Sequence, residues 1–197
     1  MGIRNTETGW GWPHRLLHWG IAIAILGQLS VGFYMVNVLE GTADRMLARN
    51  QLPQIHRSWG TVVFALVVLR VVWRLANPVP VPPAGMGRAQ RHLSEGVHLA
   101  LYVLMLALPL SGWLMATSSP LNDPDNYPVQ IRNMVFGLFA LPDPYPEGDR
   151  AVTAFWASVH AWAAGAMAVL FALHVAGALK HHLVDRDGVL RRMVAGA

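Results

Sequence analysis

The sequence predicts an all-α membrane protein, a four-transmembrane-helix up-down bundle. Of its 197 residues, 54% are apolar and only 13% are charged, about half the charged share of a typical soluble domain. The mean hydropathy is +0.36, and eight tryptophans could form aromatic belts at the two membrane surfaces. Four apolar stretches are separated by polar or proline-rich segments, and each approaches or exceeds the roughly 20 residues that span a bilayer.

The first two spans are predicted at about 15–38 and 55–76. The first is an almost continuous apolar run, and His18 lies near its beginning. The polar segment 39–54 is expected to be a loop. His56 stands at the beginning of the second span, so each of these two helices carries a histidine near its first turn.

Prolines mark the end of the second span and the middle of the third. The segment NPVPVPPAGMG, residues 77–87, cannot continue a helix because its prolines lack the required N–H groups. The third span is predicted at about 97–117, with Pro109 inside it as a kink that neighbouring helices tolerate. Residues 118–150 are expected to form a long loop, and its apolar piece 134–141 is expected to lie at the surface.

The fourth span is predicted at about 152–180 and is followed by a basic tail, so that residues 1–197 form a single domain. It contains 28 consecutive residues without a charge, and His160 and His174 interrupt this run. These histidines are 14 residues apart, which corresponds to about 21 Å along a helix and about 40° around it. Both imidazoles therefore point the same way, one towards each end of the helix.

Four spans place both termini on one side of the membrane. Ten lysines and arginines fall on the side of the termini and five on the other, so the positive-inside rule assigns the termini to the cytoplasm. The five basic residues assigned to the outer side are Arg45, Arg49, Arg57, Arg132 and Arg150.

The alternating directions of the helices pair the histidines by depth. His18 and His174 are expected near the inner surface, whereas His56 and His160 are expected near the outer surface. Two neutral imidazoles from different helices are what a six-coordinate haem b needs, one on each face of the porphyrin. The absence of cysteine excludes c-type haem attachment and cysteine-ligated iron–sulfur clusters. The sequence therefore predicts a bundle that encloses two haems and transfers electrons.

Other interpretations of the histidines stay open at this point. A histidine near a helix end is often only an interfacial residue, although histidine within a span is costly and tends to be functional. A proton relay or an ion carrier also uses histidine. A zinc site needs three or four ligands that converge on one point, whereas these pairs are separated along the helices.

Arg70 and His98 are two further candidates for cofactor binding. Arg70 follows His56 by 14 residues, so it lies on the same face at the inner level, where it could bind a haem propionate. The alternative is that Arg70 extends to the membrane surface. His98 competes with His18 as the inner ligand, and we assign it to a propionate or the pocket lining. His14 is expected at the surface.

The ordered set of motifs resembles the bacterial cytochrome b561 family. The matching segments are RLLHWGIAI (15–23), IHRSWG (55–60), LRVVWRLANPVP (69–80), HLALYVLMLALPLSGWLM (98–115) and KHHLVDRDGVLRRM (180–193). The resemblance implies a four-helix di-haem b cytochrome of the bacterial inner membrane. The family's ligand positions fall on His18, His56, His160 and His174.

The resemblance also implies a quinone, most simply ubiquinone, as one electron partner. It leaves two roles open: a superoxide oxidase that reduces ubiquinone, or the haem b membrane-anchor subunit of a larger dehydrogenase or hydrogenase. A periplasmic electron donor or a dehydrogenase subunit would then be a partner, and a homodimer is compatible with the family. Membrane lipid is an expected partner and nucleic acid is not.

Overall fold

Four long helices dominate the computed structural model, which describes residues 2–38, 46–83, 85–122 and 133–196, without the side chains of 46–50 and 122. The helices are α1 (Trp12–Asn37), α2 (Met46–Leu75), α3 (Arg88–Thr117) and α4 (Arg150–Lys180). Shorter elements are a 3-10 turn (Pro120–Asn122), strands β1 (Met134–Val135) and β2 (Phe139–Ala140), a π-helical turn (His181–Asp185) and α5 (Val189–Val194).

The four long helices confirm the predicted all-α membrane fold. Each contains a stretch long and apolar enough to cross a bilayer. The candidate spans have 25 to 36 residues, and the fourth continues beyond α4 to Asp185. Large apolar side chains on these helices remain exposed, such as Trp162 at 82% and Ile23 at 69%. A helix that is apolar on all sides and is not covered by protein is typical of a lipid environment.

All four long helices begin before the predicted spans, and in α2 and α3 the difference is nine residues. α3 begins at Arg88 instead of 97, because its polar first turns still form a helix, supported by an ion pair of 2.9 Å between Arg91 and Glu95. α2 begins at Met46, so most of the expected 39–54 loop is helical in spite of Pro53. Residues 39–45, with Arg45, and residues 123–132, with Arg132, lie outside the described residues.

The chain forms two compact units, one built from three separate segments and the other from two. The first unit comprises Met1–Ile23, Ala65–Met105 and Ala166–Ala197, and the second comprises Ala24–Phe64 and Leu106–Gly165. Because each unit takes part of every long helix, neither corresponds to a continuous stretch of sequence. The single domain over residues 1–197 stays a prediction.

In the first unit, hydrogen bonds tie the N-terminal arm to the proline-rich segment. The Asn5 side chain donates to the Pro78 carbonyl at 3.1 Å, and Val81 N–H donates to the Glu7 carbonyl at 2.9 Å. Arg192, on α5, donates to the Val81 carbonyl at 2.9 Å. The described residues between Asn77 and Gly87 are not helical, as their prolines predict.

In the second unit, the end of α3 is joined to the beginning of α4. Asp149 caps α4 by accepting hydrogen bonds from the N–H groups of Ala151 and Val152, at 2.8 and 3.0 Å. The N–H of Asp149 donates to the Ser118 carbonyl at 2.8 Å. This close approach requires Gly148, because a Cβ there would lie 2.7 Å from the Ser119 carbonyl oxygen.

We expect Gly148→Ala to lower the thermal unfolding midpoint more than Gly137→Ala. Both glycines have a left-handed φ, +71° and +73°, so alanine costs about 1–2 kcal/mol at either position. Only at Gly148 does the new Cβ also meet backbone atoms, whereas nothing lies within 4 Å of it at Gly137. Unfolding in detergent, followed by tryptophan fluorescence, checks the difference; equal midpoints would contradict the tight junction between α3 and α4.

Candidate functional site

In the first unit, His18 of α1 faces His174 of α4. Their ring centres are 6.0 Å apart, and their planes are inclined at 65°. His98 of α3 also lies against His174, but its ring centre is closer, at 5.1 Å. The structure thus brings together the histidine pair expected at this level and places the competing His98 beside it.

Arg70 is buried next to this pair. It is 9% exposed, and its Nη2 lies 3.0 Å from Nδ1 of His18. Its Nε donates to the Tyr102 hydroxyl at 3.1 Å, and its guanidinium carbon lies 5.5 Å from the centre of the Tyr102 ring. Arg70 therefore points inward to the candidate site, which disagrees with the alternative that it extends to the membrane surface.

Within the part of the chain that the structure describes, no carboxylate forms an ion pair with Arg70. A buried cation without an anion is costly, and a phenol hydroxyl is only a neutral partner. The surroundings of Arg70 therefore fit an anionic group that is not supplied by the described side chains.

His14, which was expected at the membrane surface, is buried by protein. The residue is 1% exposed, and its ring stacks on Trp10 with 4.0 Å between centres. The N-terminal arm covers it, since Gly11 N–H donates to the Asn5 side chain at 3.0 Å and fixes the arm against α1. The Nδ1 atom of His14 is buried and has no hydrogen-bond partner among the described residues.

In the second unit, His56 of α2 faces His160 of α4. Their ring centres are 6.3 Å apart, and their planes are inclined at 82°. The main-chain oxygen of His56 accepts a hydrogen bond of 2.8 Å from the side-chain amide of Gln28, on α1. The structure thus brings together the second pair that the alternation of helices predicts.

Two oxygen atoms of α3 hold the imidazole of His160. Its Nδ1 lies 3.1 Å from the Leu108 carbonyl oxygen and 3.1 Å from the Ser111 hydroxyl oxygen. The Ser111 hydroxyl donates its own hydrogen to Leu108 at 3.0 Å. The imidazole nitrogen must therefore be the donor, which assigns the hydrogen to Nδ1 and leaves the Nε2 lone pair for a ligand.

Glycines provide room for the two rings in the second unit. A Cβ at Gly112 would lie 3.1 Å from Cε1 of His160, closer than most real contacts, and a Cβ at Gly32 would lie 3.7 Å from Cε1 of His56. Neither sequence reasoning nor the motifs identified Ser111, Gly112 or Tyr102. The dipeptide Ser111–Gly112, one turn of helix from Pro109, was the available signal, because small and polar residues inside a span tend to mark a close approach.

The spacing of both pairs can be compared with that of two imidazoles on opposite sides of one metal ion. An imidazole nitrogen binds a metal at about 2 Å, and the ring centre lies about 1.1 Å behind that nitrogen. Trans imidazoles therefore have ring centres about 6.2 Å apart. The observed separations of 6.0 and 6.3 Å agree with this value, whereas the 5.1 Å between His98 and His174 is too short.

Neither pair has the ligand set of a zinc site. Among the described residues, the group of three or more metal-ligating side chains is His181, Asp185 and Asp187, beyond the end of α4. These residues already form ion pairs, at 2.6 Å between His181 and Asp187 and 2.6 Å between Lys180 and Asp185. The two histidine pairs are therefore two-ligand sites, as a planar cofactor with its own equatorial donors requires.

Pairs of half-buried histidines on long apolar helices define a class of protein, the membrane cytochromes that hold haem b. Within this class, the chain belongs to the prokaryotic cytochrome b561 family, whose model matches residues 9–196. Haem b binding and membrane electron transfer follow from this membership at the level of the family.

Two relatives from Escherichia coli (strain K12) agree with the assignment. The chain is 32% identical to cytochrome b561 homolog 2 over 196 residues, which cover 98% of this chain and 95% of the relative. It is 29% identical to cytochrome b561 homolog 1 over 160 residues, which cover 79% of each chain. The similarity therefore extends over all four long helices in the first comparison.

Proposed function

We propose that the chain transfers electrons across the bacterial inner membrane through two haem b groups and exchanges them with ubiquinone. His18 and His174 hold one haem, and His56 and His160 hold the other. The observation that carries this proposal is the spacing of both pairs, 6.0 and 6.3 Å between ring centres, which fits two trans imidazoles. When bound, haem b would supply a reversible one-electron change at its iron.

The residues around His160 prepare it to bind iron. Leu108 and Ser111 keep the hydrogen on Nδ1 and orient the ring, so that Nε2 is free to be the ligand. A hydrogen-bonded Nδ1–H also makes the imidazole a stronger donor to the metal. Gly112 contributes by leaving space for the ring.

The residues around His18 imply a different role for Arg70. Ligation through Nε2 requires the hydrogen of His18 to be on Nδ1, and that N–H cannot accept a hydrogen bond from a guanidinium. We therefore assign the Nη2 group of Arg70 to a haem propionate, the anion that the described side chains do not supply. Tyr102 keeps its hydrogen bond with Nε and holds the side chain in place. His98 is assigned to the lining of the same pocket.

Haem content tests the proposal directly. We expect two haem b per chain in the wild type and one in His160→Ala, because His56 alone cannot supply both axial ligands. The His98→Ala variant should retain two haem b per chain, since the His98 ring lies too close to His174 for the two to bind one iron from opposite sides. The measurement is the pyridine haemochrome spectrum divided by protein concentration, with exposed His92→Ala as the control. A wild type without haem, or His160→Ala with two, would overturn the proposal.

Removing the charge of Arg70 should lower the midpoint potential of the haem proposed at His18 and His174. A cation near haem stabilises the electron-rich reduced form, so Arg70→Leu should favour the oxidised form of the haem at His18 and His174, or loosen that haem. Spectroelectrochemical titration in detergent measures both potentials. Arg91→Leu is the matched control, because Arg91 lies exposed on α3 and pairs only with Glu95. Unchanged potentials and haem content would contradict the propionate assignment.

Removing the hydroxyl of Ser111 should raise the midpoint potential of the haem proposed at His56 and His160. Ser111→Ala removes one of two acceptors of the His160 N–H, which makes the imidazole a weaker donor to oxidised iron. The expected change in the equilibrium between the oxidised and the reduced haem is up to roughly tenfold, which corresponds to about 59 mV for one electron. Ser158→Ala is the control, since that exposed hydroxyl on α4 bonds only the Ala154 carbonyl. The haem at His18 and His174 is an internal reference, and equal shifts of both haems would argue against a local effect.

A further inference from the structure

The segment Asn133–Pro142 of the second unit, called the hairpin segment below, is a short apolar hairpin next to the first half of α2. Its ten residues, NMVFGLFALP, carry no charge, although Arg132 precedes it and Asp143 follows it. β1 and β2 pair antiparallel, with Met134 opposite Ala140. Three large apolar side chains at its tip are exposed: Phe136 (47%), Leu138 (79%) and Phe139 (54%).

The hairpin segment is attached to the helical turn that follows His56. Phe136 N–H donates to the Ser58 hydroxyl at 2.9 Å, and Arg57 donates to the Asn133 side chain at 2.6 Å. The ring of Phe136 packs edge-on against Trp59, with 5.7 Å between centres. Phe136 has a left-handed φ of +50°, which is unfavourable for an aromatic residue. The attachment therefore holds the tip in a defined orientation.

These contacts place the hairpin segment beside the membrane-spanning parts of α2 and α3. Trp59 lies eight residues after Gln51, the beginning of the α2 candidate span, which is about 12 Å along the helix. The Trp113 indole donates to the Pro142 carbonyl at 3.1 Å, and Trp113 lies four residues before the end of α3. Tryptophans at such positions are typical of the boundary between headgroups and acyl chains.

The backbone of the hairpin segment suits the membrane interface. Lipid-exposed irregular backbone does not occur within the hydrocarbon region, so an exposed hairpin is limited to the boundary with the headgroups, where paired polar groups lower its cost. Leu138 N–H donates to the Val135 carbonyl and Leu141 N–H donates to the Asn133 carbonyl, each at 2.9 Å. The pairing of β1 with β2 and the bond from Phe136 to Ser58 satisfy further groups.

We propose that the hairpin segment is a membrane-interface wedge whose tip, Phe136, Leu138 and Phe139, lies among phospholipids at the headgroup–acyl boundary. Phospholipid is the favoured occupant because the exposed tip is continuous with Trp59, itself 48% exposed on a membrane span. A second copy of the chain or a soluble partner is the competing occupant. The wedge does not depend on the proposed electron transfer, and it keeps the turn after His56 fixed at membrane level.

Accessibility of a spin label at the tip tests the wedge. The chain has no cysteine, so Leu138→Cys offers a single labelling site on the full protein. In phosphatidylcholine–phosphatidylglycerol vesicles, we measure collisions of the label with oxygen, which concentrates in lipid, and with a water-soluble nickel chelate. Phe33→Cys, 67% exposed on α1, is the lipid reference, and Glu147→Cys, exposed in the loop, is the water reference.

We expect the Leu138 label to match the Phe33 label, with frequent oxygen collisions and few nickel collisions. Adding Ser58→Ala should increase nickel collisions, because the tip loses its bond to α2; Ser30→Ala, on an exposed serine of α1, should not. Nickel access equal to that of the Glu147 label would overturn the proposal. Protection from both reagents would overturn it too, since the tip would then be covered by protein.

Discussion

Two imidazole rings from different helices, held about 6 Å apart, are the arrangement on which both candidate sites depend. Helices pack with their axes about 8–10 Å apart, so side chains larger than alanine at the contact would close such a gap. In the second unit, Gly112 leaves space beside the ring of His160, since a Cβ there would lie 3.1 Å from Cε1 of that ring. The 6.3 Å spacing between His56 and His160 therefore also depends on a residue that carries no reactive group, Gly112.

The two pairs are not electrically equivalent. His160 donates to two neutral oxygen atoms of α3, and the buried Nδ1 of His56 has no hydrogen-bond partner among the described residues. His18 instead lies 3.0 Å from the guanidinium of Arg70. Neutral acceptors increase the electron donation of an imidazole, whereas a nearby cation stabilises added negative charge. Two chemically similar ligand pairs can therefore have different affinities for an electron.

The sequence predicted the four spans and the two histidine pairs because both depend on simple regularities. Length and hydropathy identify the helices, and their alternating directions match His18 with His174 and His56 with His160. The helix beginnings were less predictable. Residues 88–96 are mostly polar and fall outside the apolar run, yet they form the first turns of α3, where Arg91 and Glu95 pair at 2.9 Å.

Tertiary contacts decide what the sequence pattern could not show. His14 is buried because the N-terminal arm folds back over it, and nothing in its local pattern indicates that contact. Ser111 contributes to the site through a hydrogen bond to a residue 49 positions away, and Ser58 is bonded to the hairpin segment 78 positions away. Long-range contacts of single small residues leave no periodicity in the sequence.

The surroundings of Arg70 connect cofactor binding to the stability of the first unit. A cation that is 9% exposed has lost most of its hydration, and the Tyr102 hydroxyl returns only part of that energy. His14 and His18, close to it, cannot supply negative charge. An anionic group that binds there removes this deficit only in the folded chain, so binding stabilises the fold by mass action. The buried arginine thus costs stability in the isolated polypeptide, and an anion bound beside it would offset that cost.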